Sequence, residues 1–317
     1  MSGTDNLISI VTPCFNEEQN IETVYRKVRE VFEDMKEFRY EHIFIDNAST
    51  DRSQEILRRL AADDSNVKVI MNARNFGWIR SPLHAMYQAE GAAIISVVAD
   101  MQDPPGLIPV FLGKWKEGNK IVIGVKKSSE ENLLMFGIRK FFYSLLNKFS
   151  DIELVKNFTG FGLYDRSFID LVRQINDPYP YFRGLIPEFG MQRAEVEYDQ
   201  PVRKAGRSKQ SFLRLYDVAM LGFVNYSRVP LRMASFTGFA IAILSLLVAF
   251  GYFIYKLLFW YEFNLGLAPM VIGLFFFSSV QLIFIGIIGE YIGAIHTQIQ
   301  HRDRPLVIEK ERINFDH

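Results

Sequence analysis

The sequence predicts an α/β protein, with a head built on a mostly parallel sheet and a two-helix transmembrane hairpin after it. Three observations carry this. Short apolar runs alternate with amphipathic helical stretches, the rhythm of βαβ units. Two long runs, residues 233–255 and 264–289, contain no charged residue, and each exceeds the ~20 apolar residues that a span requires. Polar clusters follow the strand-like runs, where an open α/β sheet binds its ligands.

Residues 7–13 (LISIVTP) are a short apolar run ending at Pro, as a buried strand would. Asn16-Glu17-Glu18 then opens a helix in which Ile21, Val24, Tyr25, Val28, Val31 and Phe32 keep a 3.6-residue period. Glu17 and Glu18 fall in its first turn, where the helix dipole favours acids. Residues 42–45 are a second strand, closed by Asp46-Asn47-Ala48-Ser49-Thr50-Asp51 and a helix through Leu60. Residues 67–71 give a third strand and 81–90 a third helix. A fourth strand, 92–98, ends in Asp100-Met101-Gln102-Asp103-Pro104-Pro105, with a helix at 106–115 and a further strand at 121–125.

The chain beyond the sheet reads as membrane-associated. Residues 133–149 mix Arg139, Lys140 and Lys148 with aromatics, as a membrane-surface helix does. Residues 211–226 lead into the first span. Arg203, Lys204, Arg207, Lys209, Arg214, Arg228 and Arg232 precede that span, and His301, Arg302, Arg304, Lys310 and Arg312 follow the second. The connecting Phe259-Trp260-Tyr261-Glu262-Phe263 has no Lys or Arg. The positive-inside rule therefore places the head and both termini in the cytoplasm, at the inner (plasma) membrane. Residues 1–7 are short and polar, so no signal segment is expected there. The expected organisation is a head at 1–209 with an interfacial helix at about 131–149, a juxtamembrane helix at 210–232, spans at 233–258 and 266–293, and a cytosolic tail at 294–317.

Thirty-six basic residues balance thirty-six acidic ones, which argues against a nucleic-acid partner. The single cysteine, Cys14, excludes an intramolecular disulfide and fits a reducing compartment. No HExxH, Cys/His metal spacing, GxSxG or Walker loop is present. Asp100 and Gln102, two residues apart in extended chain, face the same way and can reach one cation; oxygen ligands favour Mg²⁺ or Mn²⁺. Helix capping explains the same acidic turn. Asp46-Asn47 can meet a base or ribose edge, or simply form an Asx turn. Arg74 can meet a phosphate, or close a surface turn with Gly77. The run Arg203-Lys204-Ala205-Gly206-Arg207-Ser208-Lys209 can do the same, or face anionic headgroups.

In order along the chain, 11–18, 46–51, Arg74-Asn75-Phe76-Gly77, 99–105, 162–166, 206–209 and 289–293 resemble the polyprenyl-phosphate glycosyltransferases, the dolichol-phosphate-mannose-synthase-like branch of inverting glycosyltransferase family 2. The likeness covers nearly the whole chain, including the two spans of the bacterial type. It implies a GT-A fold and transfer of a sugar from a cytosolic nucleotide-sugar donor, expected to be a UDP-hexose, to undecaprenyl or another polyprenyl phosphate. The choice of UDP over GDP and the sugar itself stay open. Carried over residue by residue, Pro13, Asn16, Glu18 and Asp46 line the nucleotide pocket, and Arg74 joins the donor site. Asp100 and Gln102 hold the divalent cation, while Arg203, Ser208 and Lys209 steady the donor phosphates or cover the site. Lys126, Arg139 and Lys140 grip the acceptor phosphate. Asp100, Arg203 and Lys209 are the expected catalytic residues, and a homotetramer is the expected assembly, with Gly238, Ala240 and residues 275–277 suited to packing between protomers.

The chain departs from the family pattern twice. Val98 stands at the first Asp of Asp-x-Asp-x-Gln, and Gly160 stands where an acid, proposed as general base, precedes the Phe-x-Leu segment. A degenerate head that binds donor and scaffolds another glycosylation protein is the alternative these two positions support. A phosphate monoester with a second pKa of about 6 is already largely ionised, so it needs little help from a base. A processive synthase would need a Gln-x-x-Arg-Trp segment, and a channel a polar path; the sequence has neither.

Overall fold

The computed structural model describes residues 6–127, 158–175, 177, 180, 182–201, 229–259, 267–301 and 305–315. The described residues fall into two compact units. One holds the sheet, its flanking helices and the C-terminal residues from 300 onward; the other holds the two long apolar helices up to residue 299.

The first unit opens β1 (Leu7–Cys14), α1 (Ile21–Asp34), β2 (Arg39–Asp46), α2 (Ser53–Asp63), β3 (Val67–Asn72), α3 (Gly77–Gln88) and β4 (Ala93–Ser96). A 3₁₀ turn (Pro105–Leu107) leads into α4 (Ile108–Lys116), followed by β5 (Ile121–Lys126). Then come β6 (Phe158–Asp165), α5 (Arg166–Ile175), α6 (Phe182–Glu188) and β7 (Arg193–Tyr198). The sheet order is β7-β5-β6-β4-β1-β2-β3-β8, where β8 is Glu309–Ile313. β1 pairs in parallel with β2 and β4, β2 with β3, and β5 with β7; among the described strands only β6 and β8 run against them. The mostly parallel α/β head that the family resemblance implies is thus present.

Period-2 alternation sorts the strand residues onto two cores. Ile8, Ile10 and Phe44 pack on one face with Val24, Leu57 and Phe111. Val11, Ile43 and Ile45 pack on the other with Leu83, Met86 and Phe168. Because β1 and β2 are parallel with Cys14 opposite Asp46, their following loops leave the sheet side by side.

Two helix starts differ from the sequence expectation. α1 begins at Ile21, not at residue 16, so Glu22 is the acid of its first turn; Glu17 and Glu18 sit in the preceding loop. α3 begins at Gly77, four residues before Ser81, with Pro82 inside it. A Ser-Pro pair reads as a helix start, and here that signal is misleading. The sequence reading also stops short of β6, β7 and β8.

The second unit holds α7 (Val229–Leu258) and α8 (Leu267–His301). Leu231–Tyr255 and Gly273–His296 have mean hydropathy 2.2 and 1.7, and none of the most apolar stretch of either is buried. A core helix of a water-soluble domain would bury that surface; these are long and apolar enough to cross a membrane. Ser235, Ser245 and Ser279 donate to carbonyls four residues back, so their hydroxyls need no outside partner. α7 includes residues 229–232, and α8 extends to residue 301. A side chain at Gly238 would meet Phe284 of α8 at 3.7 Å, so this glycine faces the partner helix of its own chain. The expected interfacial helix at 131–149 and residues 210–228 lie outside the described residues.

Candidate functional site

A cavity of about 370 Å³ opens among the carboxyl ends of β1 and β4, the start of β6 and the first half of α3. Its polar lining includes Glu17, Asn47, Asp100, Asp103 and Thr159, and its apolar lining includes Pro13, Trp78, Pro82, Met86, Val98 and Phe182. Non-glycine residues in the left-handed region cost energy and concentrate at functional loops. Asn16 (φ 55°), Ala48 (φ 61°) and Met101 (φ 62°) lie in the loops after β1, β2 and β4.

The β1 and β2 loops clasp each other. The amide of Asn16 donates to Ser49 Oγ (2.8 Å), and Asn16 Oδ1 accepts from the amide of Thr50 (2.8 Å). The amides of Glu17 and Glu18 donate to Ser53 Oγ and Asp51 Oδ2, and Glu18 Oε2 accepts from the amide of Arg52. Asp46 is fully buried; its Oδ2 accepts from the Ser49 amide (3.0 Å) and from Gln54 Nε2 (2.8 Å). The Asx turn is therefore real, while Oδ1 has no hydrogen-bond partner among the described residues. Burial, with the charges of Asp46, Glu17 and Asp51 adding to it, pushes the Cys14 thiol well above its usual range.

Asn47 spends its side chain on the next loop. Its Oδ1 accepts from Asn72 Nδ2 (3.1 Å) and the Phe76 amide (2.8 Å), and its Nδ2 donates to Asn75 Oδ1 (3.0 Å) and the Gly77 carbonyl (3.1 Å). All four amide positions are filled, so Asn47 holds the turn into α3 rather than reading a base edge. Arg74 is exposed, its guanidinium 4.2 Å from the Phe76 ring, and it is not among the residues that line the cavity.

Asp100 reaches the cavity, but the extended geometry expected for Asp100 and Gln102 is corrected by the structure. β4 ends at Ser96, Met101 is left-handed, and the Gln102 amide donates to Asp100 Oδ1 at 3.1 Å. The two side chains are neighbours across a tight turn rather than on one face of a strand. Asp103, to which the sequence reading gave no role, is 3% exposed and lines the same cavity. It accepts from the Val98 amide (3.3 Å) and Tyr198 hydroxyl (3.4 Å). Burial, reinforced by the Asp100 charge, pushes its carboxyl up to about 7. Nothing in the sequence marks which acid of the run turns inward.

Among the described residues no three His, Cys, Asp or Glu form a metal-holding cluster. The cavity nonetheless fits a hard divalent ion of the Mg²⁺ class, which takes one or two carboxylates and completes its shell with ligand phosphates and water. Asp100 brings a carboxyl to the cavity wall, with Gln102 beside it on the same turn and the Asp103 carboxyl buried behind.

Lys126 Nζ donates to Gln200 Oε1 at 2.6 Å, and its charge lies close enough to lower the Asp103 pKa. Arg139, Lys140, Arg203, Ser208 and Lys209 lie outside the described residues. Gly160 lines the cavity with φ +107°, and its carbonyl accepts from the Tyr164 hydroxyl at 2.8 Å. That backbone suits glycine alone. Gly160→Asp should therefore destabilise the chain by about 1–3 kcal/mol, read by thermal unfolding.

A second expected result follows from Asp103. Its folded pKa of about 7 lies above the usual 3.8, so the native state binds the proton more tightly than the unfolded chain. That stabilisation is complete at low pH and is lost as pH rises through the folded pKa. Measured without divalent cation, Asp103→Asn should gain thermal stability relative to wild type between pH 5 and pH 8, conditions chosen to bracket that window. A pH-independent difference would contradict it.

A family model described as Glycosyl transferase family 2 matches residues 9–172. The chain is 35% identical to the uncharacterized glycosyltransferase YkcC of Bacillus subtilis, over 97% of this chain and 94% of that protein. It is 32% identical to the SfII prophage-derived bactoprenol glucosyl transferase of Shigella flexneri, over 97% and 99% respectively. It is 31% identical to the prophage bactoprenol glucosyl transferase homolog of Escherichia coli, over 96% and 98%.

Proposed function

We propose that this chain, which belongs to glycosyl transferase family 2, transfers a hexose from a UDP-sugar to undecaprenyl phosphate at the cytosolic face of the inner membrane. The observation that carries the reading is the pairing, in one chain, of a carboxylate-flanked cavity with two unburied apolar helices. Relatives named bactoprenol glucosyl transferase, similar over nearly the full length, support the acceptor class.

In this reading Pro13, Asn16, Glu18 and Asp46 surround the nucleoside. Asp100 and Gln102 hold a divalent cation, Mg²⁺ or Mn²⁺, which when bound offsets the charge of the donor diphosphate. Arg74, Arg203, Ser208 and Lys209 steady the donor phosphates, while Lys126, Arg139 and Lys140 hold the acceptor phosphate. A phosphate oxygen of the lipid attacks the anomeric carbon as the bond from that carbon to the nucleoside diphosphate breaks, and the configuration inverts. Positioning of an ionised phosphate supplies most of the catalysis. A base at position 160 is therefore dispensable. The spans suit a homotetramer.

The experiment is a donor screen: membranes containing the chain, undecaprenyl phosphate and labelled nucleotide sugars, with the organic extract analysed by mass spectrometry. A labelled polyprenyl phosphosugar from one UDP-hexose supports the reading. Nucleotide binding without transfer from any donor supports the scaffold reading that Val98 and Gly160 suggest.

A further inference from the structure

The C-terminal residues turn back onto the helix that walls the cavity. β8 pairs antiparallel with β3, placing Ile70 opposite Arg312 and Met71 opposite Glu311, and the Ala73 amide donates to the Ile308 carbonyl at 2.8 Å. Every residue of β3 is buried. From this strap, three contacts reach α3. Arg80, 5% exposed, donates through Nη2 to the Pro305 carbonyl at 2.7 Å, and His84 Nε2 meets Glu309 Oε1 at 2.5 Å. Arg312 braces that pair, donating to Glu309 (2.6 Å) and to Gln88 at the end of α3 (3.1 Å).

α3 needs such support. It is 12 residues long, contains Pro82, and has neither a side-chain N-cap nor an acid in its first turn. A helix of that length is marginal alone, and an internal Pro costs it a backbone hydrogen bond. Yet Gly77, Trp78, Ile79, Pro82 and Met86 of this helix line the cavity. Arg80 and His84 are held by the strap while these neighbours face the cavity.

We propose that residues 305–315, the segment after the second apolar helix, are a working part of the donor site: they fix α3 through Arg80 and His84, which act as positioning residues. The inference rests on the reading that the cavity takes the nucleotide donor. It makes nucleotide affinity depend on a segment more than 200 residues away in sequence. Arg58 supplies the control, because its bidentate pair with Glu311 ties the same strap to α2 instead.

The test compares full-length Arg80→Ala, Arg80→Lys, Glu309→Gln and Arg58→Ala with wild type. One readout needs no ligand: hydrogen exchange of the α3 amides. Arg80→Ala and Glu309→Gln should speed exchange in α3 and weaken UDP binding, titrated with Mn²⁺ by calorimetry, by about tenfold, the loss expected for a charge-assisted hydrogen bond. Arg80→Lys should recover part of both, and Arg58→Ala should change neither by more than about twofold, as for an exposed ion pair. Unchanged α3 exchange in Arg80→Ala and Glu309→Gln overturns the inference. Failure of the wild-type chain to bind UDP overturns the donor reading instead, and the exchange data still decide whether the strap fixes α3.

Discussion

Asp100→Asn should lower sugar transfer by at least about 100-fold, more than the loss typical of an outer-shell partner to a metal, while the chain stays folded. The carboxyl lines the cavity, and one of its oxygens already accepts the Gln102 amide. Asparagine keeps the size and that acceptor, so the turn through Met101 survives. The negative charge does not. Asp100 faces the cavity beside the buried Asp103, whose carboxyl burial pushes up to about 7, and a hard cation holds poorly to a neutral amide. The measurement is the transfer rate across a Mg²⁺ or Mn²⁺ titration. A variant at full rate with the wild-type metal dependence would remove Asp100 from the site.

Glu41→Ala should cost about 3–5 kcal/mol of stability, the penalty for removing one partner of a buried ion pair. Glu41 is 3% exposed and Lys68 is 8% exposed, 2.8 Å apart. The same carboxylate accepts from Ser9 Oγ (2.5 Å) and the Glu90 amide (2.7 Å), so it joins β1, β2 and the loop before β4. Burial pulls the Lys68 pKa down, but Glu41 and Glu90 more than offset it, and the net direction is upward. Alanine leaves that ammonium buried, with Glu90 as its remaining carboxylate partner among the described residues and the Phe315 ring 5.3 Å away. At roughly 2–4 °C per kcal/mol for a domain of this size, the thermal midpoint should fall well outside error. A midpoint within about 1 °C of wild type would show that the pair is replaceable.

Local signals in the sequence carried the parallel half of the sheet. Residues 7–13, 42–45 and 67–71 are apolar runs that pack on both faces, so their strand character needed no long-range information. β8 could not be read this way. EKERI is charged at four of its five positions, and it becomes a strand because β3 presents an open edge and Arg58, His84 and Gln88 receive its side chains. The start of α3 is hidden from the sequence for a related reason. The Asn47 amide network fixes the turn at Phe76 and Gly77 from the loop after β2, and so starts the helix ahead of Ser81-Pro82. The two long apolar helices are legible because length and lack of charge are local properties.

The site divides in the same way. The resemblance located the loops after β1, β2 and β4, and the structure brings Pro13 and Asp100 to the cavity with Asn16, Glu18 and Asp46 in the clasp beside it. The wall from Trp78, Pro82, Met86 and Phe182 was not legible, because apolar residues on a helix look the same whether they face a core or a cavity. Asp103 was equally hidden, since its burial depends on Tyr198 and Val98 closing over it.

Photolabelling with a 5-azido-UDP-hexose, followed by mass spectrometry of the labelled peptides, tests the central claim most directly. The account predicts attachment within residues 13–17, 46–47 or 77–86, suppressed by excess UDP. Attachment that UDP suppresses equally well but that lies wholly outside these segments would contradict it.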